Sequence, residues 1–235
     1  MSEVSRNLTA VNARISAACV RAGRARESVR LIAVSKTFPA ELVRDASLAG
    51  QNEFGESKVQ EAESKIATLA TSLRWHFIGR VQRNKVRKLL QNFDVIHAID
   101  SFRLASYVNE VARELGLFPQ VFLQVNIGGE ESKGGYDSRS LRAEMESLLK
   151  LDCLEIIGLM CIPPNGPDAE ASRNWFVALR DLRDALEVEF GTRLPALSMG
   201  MSDDFEVAIE EGATHVRVGS SIFGKRAYRV DGELG

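Results

Sequence analysis

The sequence lacks any apolar run that approaches the roughly 18 residues needed to span a bilayer. Residues 1–6 carry no apolar signal segment. The charges almost balance, at 30 Lys and Arg against 32 Asp and Glu, which argues against nucleic acid or an anionic membrane as a partner. Its three cysteines, Cys19, Cys153 and Cys161, show neither paired spacing nor a Cys/His metal cluster. These absences predict a cytoplasmic protein without a metal site.

What the sequence does contain is a regular alternation of apolar runs and amphipathic segments. Residues 3 to 22 predict a helix, and eight strands follow, each with a helical segment after it. Eight such parallel units match a single (β/α)8 TIM barrel with an extra N-terminal helix. A doubly wound open sheet is the alternative, but no Gly-x-Gly-x-x-Gly follows the first strand. No linker is visible, so we expect one domain over residues 1–235.

The first predicted strand, residues 29–37, reaches Lys36. Barrel enzymes keep their sites at the carboxyl ends of the strands. Desolvation there would lower the pKa of the lysine and leave an amine able to attack an aldehyde. The alternative is that Lys36 simply extends from the strand end into solvent.

Two turns follow the last two predicted strands, Gly200-Met201-Ser202 and Gly219-Ser220-Ser221. Each combines a glycine with hydroxyls at a predicted helix start, as a phosphate site would, and barrels often bind phosphate at these two positions. The alternative is ordinary turns in which Ser202 and Ser220 or Ser221 cap helices. Asp203 and Asp204 would repel phosphate, so we expect their side chains to point away.

Arg217 lies near the end of the eighth predicted strand and, if buried, needs a partner. That partner is either a carboxylate within the barrel or the ring nitrogen of a bound cofactor. An amine and a phosphate site at one barrel mouth suit pyridoxal 5′-phosphate (PLP) or the phosphosugar of a lysine-dependent aldolase. Because arginine keeps its proton, a pyridine nitrogen facing Arg217 would stay unprotonated and carbanion chemistry would be weak.

Other polar features are less specific. A predicted basic helix over residues 80–91 is either a solvated face or a positive rim that attracts anions. His97 and His215 fit core histidines, whereas His76 could equally lie against a ligand. The charged loop at residues 130–134 is a surface loop or a mobile lid.

Several sequence blocks occur in an order that is specific for one family. They are AVSKT (33–37), FGE (54–56), VQE (59–61), WHFIG (75–79), QxNK (82–85), GLM (158–160), IPP (162–164), LSMGMSxD (197–204) and RVGSxIFG (217–224), where x is any residue. With them the chain resembles the YggS/PROSC family of pyridoxal 5′-phosphate homeostasis proteins. The resemblance implies the fold type III barrel of alanine racemase, with PLP held as an imine on Lys36.

The resemblance also implies the remaining contacts to PLP. Ser202, Gly219 and Ser220 would hold the phosphate, Arg217 would face the ring nitrogen, and His76 and Met199 would lie close by. One departure is that Ser57-Lys58 stands where the family usually has Asn-Tyr, so that Ser57 could replace the asparagine contact.

Two functions share this cofactor. The first is a non-catalytic protein that buffers or delivers PLP, with PLP-requiring apo-enzymes as possible partners. The second is a weakly active amino-acid racemase or decarboxylase. Racemases of this fold take a tyrosine from a second domain, and we expect no such domain here; the tyrosines of this sequence, Tyr107, Tyr136 and Tyr228, fall in a helix, a loop and the tail. We therefore expect a monomeric binder without robust catalytic activity. A cofactor-free aldolase is a third hypothesis, but it does not explain Arg217.

Overall fold

The protein, described here by a computed structural model over residues 1–130, 134–164 and 166–224, folds as the predicted (β/α)8 barrel. Its strands pair in parallel and in chain order, and β1 closes the barrel against β8. The strands are β1 (Arg30–Val34), β2 (Glu53–Glu56), β3 (Arg74–Phe77), β4 (Val95–Ile99), β5 (Gln120–Gln124), β6 (Glu155–Met160), β7 (Ala196–Ser198) and β8 (His215–Val218). The helices are α1 (Glu3–Arg21), α2 (Ala40–Leu48), α3 (Val59–Ile66), α4 (Val86–Asn92), α5 (Phe102–Leu115), α6 (Ser138–Leu149), α7 (Arg173–Phe190), α8 (Phe205–Glu210) and α9 (Ser220–Phe223).

The helices form where one apolar face can cover the outside of the barrel. In α1 the apolar residues recur at helical spacing, and Leu8, Val11 and Ile15 are buried. Helix α5 shows both termination signals, since the Ser101 hydroxyl accepts the N–H of Leu104 and Gly116 ends the helix at a φ of 65°. The hydrophobic core is therefore shared between the strands and the inner helix faces.

Three local predictions are wrong. Strand β1 ends at Val34, so that Lys36 belongs to the following turn rather than to the strand. The predicted basic helix over 80–91 begins only at Val86, because a 3-10 turn at Arg83–Lys85 precedes it. Ser202 does not cap α8, whose N-cap residue is Asp204.

Some predictions lie outside the described residues. They concern residues 131–133 of the charged loop and Tyr228 of the tail. The single domain over 1–235 likewise stays a prediction. Within the described ranges, no helix combines the length and the apolar character needed to cross a membrane.

Candidate functional site

Lys36 lies at the carboxyl end of the barrel, close to the turn that follows β8. In the β1–β8 pair Ala33 is opposite Val218, so both strands point to the same end. Gly219 packs against β1 so closely that a Cβ atom there would lie 3.2 Å from the carbonyl oxygen of Val34. Lys36 follows Val34 by two residues and is half-buried. The barrel thus brings the lysine and the β8 turn to one mouth.

The two predicted phosphate turns meet through Ser202. Its hydroxyl oxygen accepts the backbone N–H of Gly219 at 3.2 Å and that of Ser221 at 3.5 Å. These N–H groups therefore converge on one oxygen position, the arrangement that an anion requires. The exposed Ser220 lies between them.

The acidic residue next to this turn, Asp204, is held by contacts to the turn itself and to Ser172, and the orientation of Asp203 and Asp204 away from a phosphate stays a prediction. The carboxylate of Asp204 accepts the N–H of Met201 at 2.7 Å and the hydroxyl of Ser172 at 3.0 Å. Gly200 sets the path of the same turn, with a φ of 90° and no room for a Cβ, which would lie 2.6 Å from the Cβ of Ala208. Gly200 and Asp204 thus fix the backbone conformation of the turn.

Arg217 is buried in the barrel just below this mouth. Its Nη1 donates to Ser198 Oγ at 2.5 Å and its Nη2 donates to the carbonyl oxygen of Cys161 at 2.9 Å. Burial lowers the pKa of Arg217, although a guanidinium still keeps its proton at neutral pH. In the described part of the chain its hydrogen-bond partners are thus neutral oxygens, not the carboxylate that was the alternative.

The backbone on both sides of Lys36 is held by a buried ionic cluster that sequence reasoning missed. Lys65 Nζ donates to the carbonyl oxygen of Ser35 at 2.8 Å and to Glu56 Oε1 and Glu61 Oε1 at 2.7 Å each. Ser35 Oγ also donates to Glu56 Oε1 at 2.7 Å. The signal was Lys65 itself, a lysine among the apolar positions of α3.

Glu61 extends this cluster to the far side of Lys36. Its Oε1 accepts the N–H of Thr37 at 2.5 Å. Thr37 has a φ of 72° and is the one non-glycine residue with positive φ in the described chain. Such a conformation costs about 1–2 kcal/mol for an ordinary residue, so it needs contacts that hold it. We call Glu56, Glu61 and Lys65 the Lys36 brace.

All three histidines of the chain meet inside the barrel. His76 Nδ1 lies 2.9 Å from His97 Nε2, and His76 Nε2 lies 3.0 Å from Glu53 Oε2. His97 Nδ1 lies 2.8 Å from Ser198 Oγ, so His97 is a satisfied core histidine, as predicted. Both nitrogens of His76 are engaged within the barrel, and its place beside a ligand stays a prediction.

His215 is also a core histidine, since its Nδ1 lies 2.8 Å from Thr214 Oγ1 and burial lowers its pKa to about 3. The remaining predicted site residues are Met199, which is fully buried, and Ser57, which is half-buried. Within the described ranges, no group of three or more His, Cys, Asp or Glu residues could hold a metal ion.

Comparison with known proteins identifies the family. Residues 7–227 match the family model described as alanine racemase, N-terminal domain. A pyridoxal phosphate homeostasis protein of Aquifex aeolicus is 45% identical over 222 residues, which cover 94% of this chain and 97% of that protein. The chain belongs to the pyridoxal phosphate homeostasis protein family. The family member of Pseudomonas aeruginosa with the same name is 45% identical over 230 residues, which cover 97% of this chain and 98% of that protein.

A solved structure of this family has the same fold. PipY of Synechococcus elongatus, determined with PLP bound, is 40% identical and superimposes with a TM-score of 0.85, covering 94% of this chain and 100% of that one. The predicted family and the predicted barrel are therefore both confirmed.

Proposed function

We propose that this protein binds PLP at the barrel mouth and buffers or delivers it within the cell. The observation that carries the proposal is the meeting of Lys36, the Ser202 and Gly219 turns and Arg217 at one end of the barrel. PLP carries an aldehyde, a phosphate and a pyridine nitrogen, and these residues offer one complementary group to each.

The donor set fits the cofactor. The N–H groups of Gly219 and Ser221 converge as a phosphate requires, and the hydroxyls of Ser202 and Ser220 can add further hydrogen bonds. Lys36 would attach the aldehyde through its Nζ, forming a carbon–nitrogen double bond with loss of water. Ser57 and Met199 would contact the ring from the neighbouring strand ends.

PLP, when bound, supplies an electron-accepting ring. Arg217 would donate a hydrogen bond to the ring nitrogen and leave that nitrogen unprotonated, because a guanidinium cannot accept the proton back. This contact would bind and orient the ring while weakening it as an electron sink. We therefore propose a binding protein without robust catalytic activity.

The alternative, a weak racemase or decarboxylase, needs a group that moves a proton at the mouth. Burial raises the pKa of Tyr136, which disfavours the phenolate that could accept a proton. Tyr107, on α5, is engaged in a packing contact, because the guanidinium carbon of Arg83 lies 4.3 Å above the centroid of its ring. Neither of these two tyrosines favours the racemase.

The test is covalent trapping. The purified protein is mixed with PLP, reduced with borohydride and digested, and the modified peptide is identified by mass spectrometry. We expect one label, on Lys36, and a visible absorption band that Lys36→Ala abolishes. Lys58→Ala, which removes an exposed lysine after β2, is the control and should keep both. A colourless protein, or a label on another lysine, would contradict the proposal.

Delivery is tested with a PLP-requiring apo-enzyme as acceptor. We propose a cytoplasmic monomer that hands PLP to such enzymes, and we expect the loaded protein to restore acceptor activity. If transfer needs contact, its rate will rise with acceptor concentration beyond the rate of spontaneous release. A rate that stays at the release rate would support a buffer instead. Sedimentation of the loaded protein measures its oligomeric state.

A further inference from the structure

The barrel interior contains a continuous chain of hydrogen bonds from its amino end to Arg217. We call it the axial relay; its members are Glu53, His76, His97, Ser198 and Arg217. We propose that this relay has one fixed direction of hydrogen donation, and that it positions Arg217 from the opposite end of the barrel. The positioning role rests on the proposed function, whereas the direction of the relay does not.

The direction follows from the end that can only accept. Glu53 Oε2, as a carboxylate oxygen, cannot donate, so His76 Nε2 must carry the hydrogen of their 3.0 Å contact. A neutral His76 then has a bare Nδ1, which must accept from His97 Nε2 at 2.9 Å. The opposite arrangement would set two lone pairs against each other at the first contact.

The same logic reaches Arg217. With its hydrogen on Nε2, a neutral His97 accepts at Nδ1, so the hydroxyl of Ser198 donates to it across 2.8 Å. The Ser198 oxygen is then left with lone pairs only, and it accepts from Arg217 Nη1 at 2.5 Å. Since arginine can only donate, both ends of the relay enforce the same direction.

Burial keeps the relay in this state. His97 is fully buried and His76 is 1% exposed, so desolvation opposes a charge on either ring. Desolvation lowers the pKa of both histidines. Burial raises the pKa of Glu53, but the hydrogen bonds from His76 and Arg30 and the positive charge of Arg30 outweigh it, so that the pKa is lowered. At neutral pH the rings are therefore neutral and Glu53 is ionised.

The relay makes Arg217 a prearranged donor. Ser198 and the Cys161 carbonyl oxygen each take one of its terminal nitrogens, which fixes the plane of the guanidinium. Ser198 can accept well because its own hydrogen is committed to His97. Glu53, His76, His97 and Ser198 are thus positioning residues.

The direct test is nitrogen-15 NMR of the ring nitrogens in the protein without PLP. The chain has three histidines, and single substitutions of each will assign them. We expect His76 and His97 to be neutral at pH 7 with the hydrogen on Nε2. A hydrogen on Nδ1 of either ring, or a doubly protonated ring, would overturn the proposal. The outcome does not depend on whether the cofactor binds.

Glu53→Gln provides a second test by reversing the relay. Glu53 Oε1 accepts from Arg30 at 2.7 Å, so the glutamine oxygen should keep that contact and place its NH2 group against His76. His76 must then carry its hydrogen on Nδ1, and His97 must follow. The control is Glu155→Gln at the same end of the barrel, where Glu155 accepts from Gln120 at 2.8 Å and touches no relay member. An unchanged His97 tautomer in Glu53→Gln would overturn the proposal.

The effect on cofactor binding is measured separately. In the reversed relay the Ser198 oxygen accepts hydrogen bonds from both His97 and Arg217, and its hydrogen bond to Arg217 weakens. We expect Glu53→Gln to reduce PLP affinity by about two- to tenfold, the effect of one weakened hydrogen bond, and Glu155→Gln to leave it unchanged. Equal affinities of Glu53→Gln and wild type, despite the reversed tautomers, would overturn the positioning role. Failure of the wild type to bind PLP would instead overturn the proposed function.

Discussion

Removal of the amine at the centre of the Lys36 brace should weaken both the fold and the lysine it holds. In Lys65→Met, a methionine of similar length fills the space but donates no hydrogen bond. Lys65 is 5% exposed and makes three hydrogen bonds, to Ser35, Glu56 and Glu61. Glu56 is fully buried, and its Oε2 has no hydrogen-bond partner in the described structure, so Lys65 and Ser35 both bond to its Oε1.

The cost follows from the charge left behind. Breaking a buried ion pair by removing one partner typically destabilises a protein by about 3–5 kcal/mol. Burial already raises the pKa of Glu56, and the bond from Lys65 opposes that rise. Without Lys65 the pKa of Glu56 should rise further, so that the carboxyl takes up a proton more readily, which limits the loss. We therefore expect about 3 kcal/mol at pH 7, the lower end of that range, and a larger loss at higher pH.

Urea unfolding measures this loss of free energy of unfolding, and two further variants serve as its control and its rescue. Lys88→Met removes the same charge from an exposed pair, in which Lys88 lies 3.4 Å from Glu63, and should cost less than about 0.5 kcal/mol. Adding Glu56→Gln to Lys65→Met removes the stranded carboxylate and should recover most of the stability. If Lys65→Met costs no more than Lys88→Met, the buried pair does not hold the fold as described.

The same variant should slow covalent trapping at Lys36. The brace holds the carbonyl of Ser35 and, through Glu61, the N–H of Thr37, so its loss lets the intervening lysine move. A misplacement of this kind can cost a reacting group about tenfold or more in rate. Borohydride trapping under conditions where both proteins are folded gives the ratio. An unchanged rate would mean that Lys36 does not depend on the brace.

Three further outcomes are expected. Gly200→Ala should destabilise by about 2 kcal/mol or more in urea unfolding, because its Cβ has no room; Gly116→Ala, with a φ of 65° and nothing within 4 Å, should cost only about 1 kcal/mol. His215, with a pKa of about 3 against an ordinary 6.5, is neutral in the fold and charged in the unfolded chain below pH 6.5. Its contribution to the free energy of unfolding is therefore complete above pH 6.5 and is lost as the pH falls towards 3, by about 1.4 kcal/mol per pH unit. A free energy of unfolding that does not change between pH 7 and pH 5 would contradict this reasoning. Ser202→Ala should lower the affinity for PLP about tenfold in a titration, because the Ser202 hydroxyl lies where the N–H group of Gly219 points. The urea midpoint of unfolding should change little.

The order of strands and helices could be predicted because each apolar run and each helical face is a local pattern. Helix α5 shows this most clearly, because its Ser101 cap and its Gly116 stop are local signals of the sequence. Boundaries failed where local patterns are ambiguous. The basic run after Gly79 has good helix formers, yet a 3-10 turn occupies Arg83–Lys85 and delays α4.

The mouth of the barrel was predictable in outline, because strand ends and turn glycines are visible in the sequence. The supporting contacts were not, since they join distant residues. Ser198 and His97 are 101 residues apart, and Lys65 and Ser35 are 30 apart. Nothing local marks Ser198 as the partner of a buried arginine, and Thr37 gives no sign of its positive φ. Which polar residues satisfy each other is decided only when the barrel closes.

The packing of the first helix on the last ones has a consequence for how the protein is made. Asn7 of α1 donates to the carbonyl oxygen of Ile222 in α9, 215 residues further along, and Arg14 pairs with Glu206 of α8 at 2.7 Å. A nascent chain therefore leaves the ribosome with its first helix lacking α8 and α9, its partners at the end of the barrel, until translation is nearly over. The nascent chain also exposes the segment around Lys36 long before the turn at Gly219 has been synthesised. Only complete chains would therefore bind PLP, and stalled or degraded fragments would bind none.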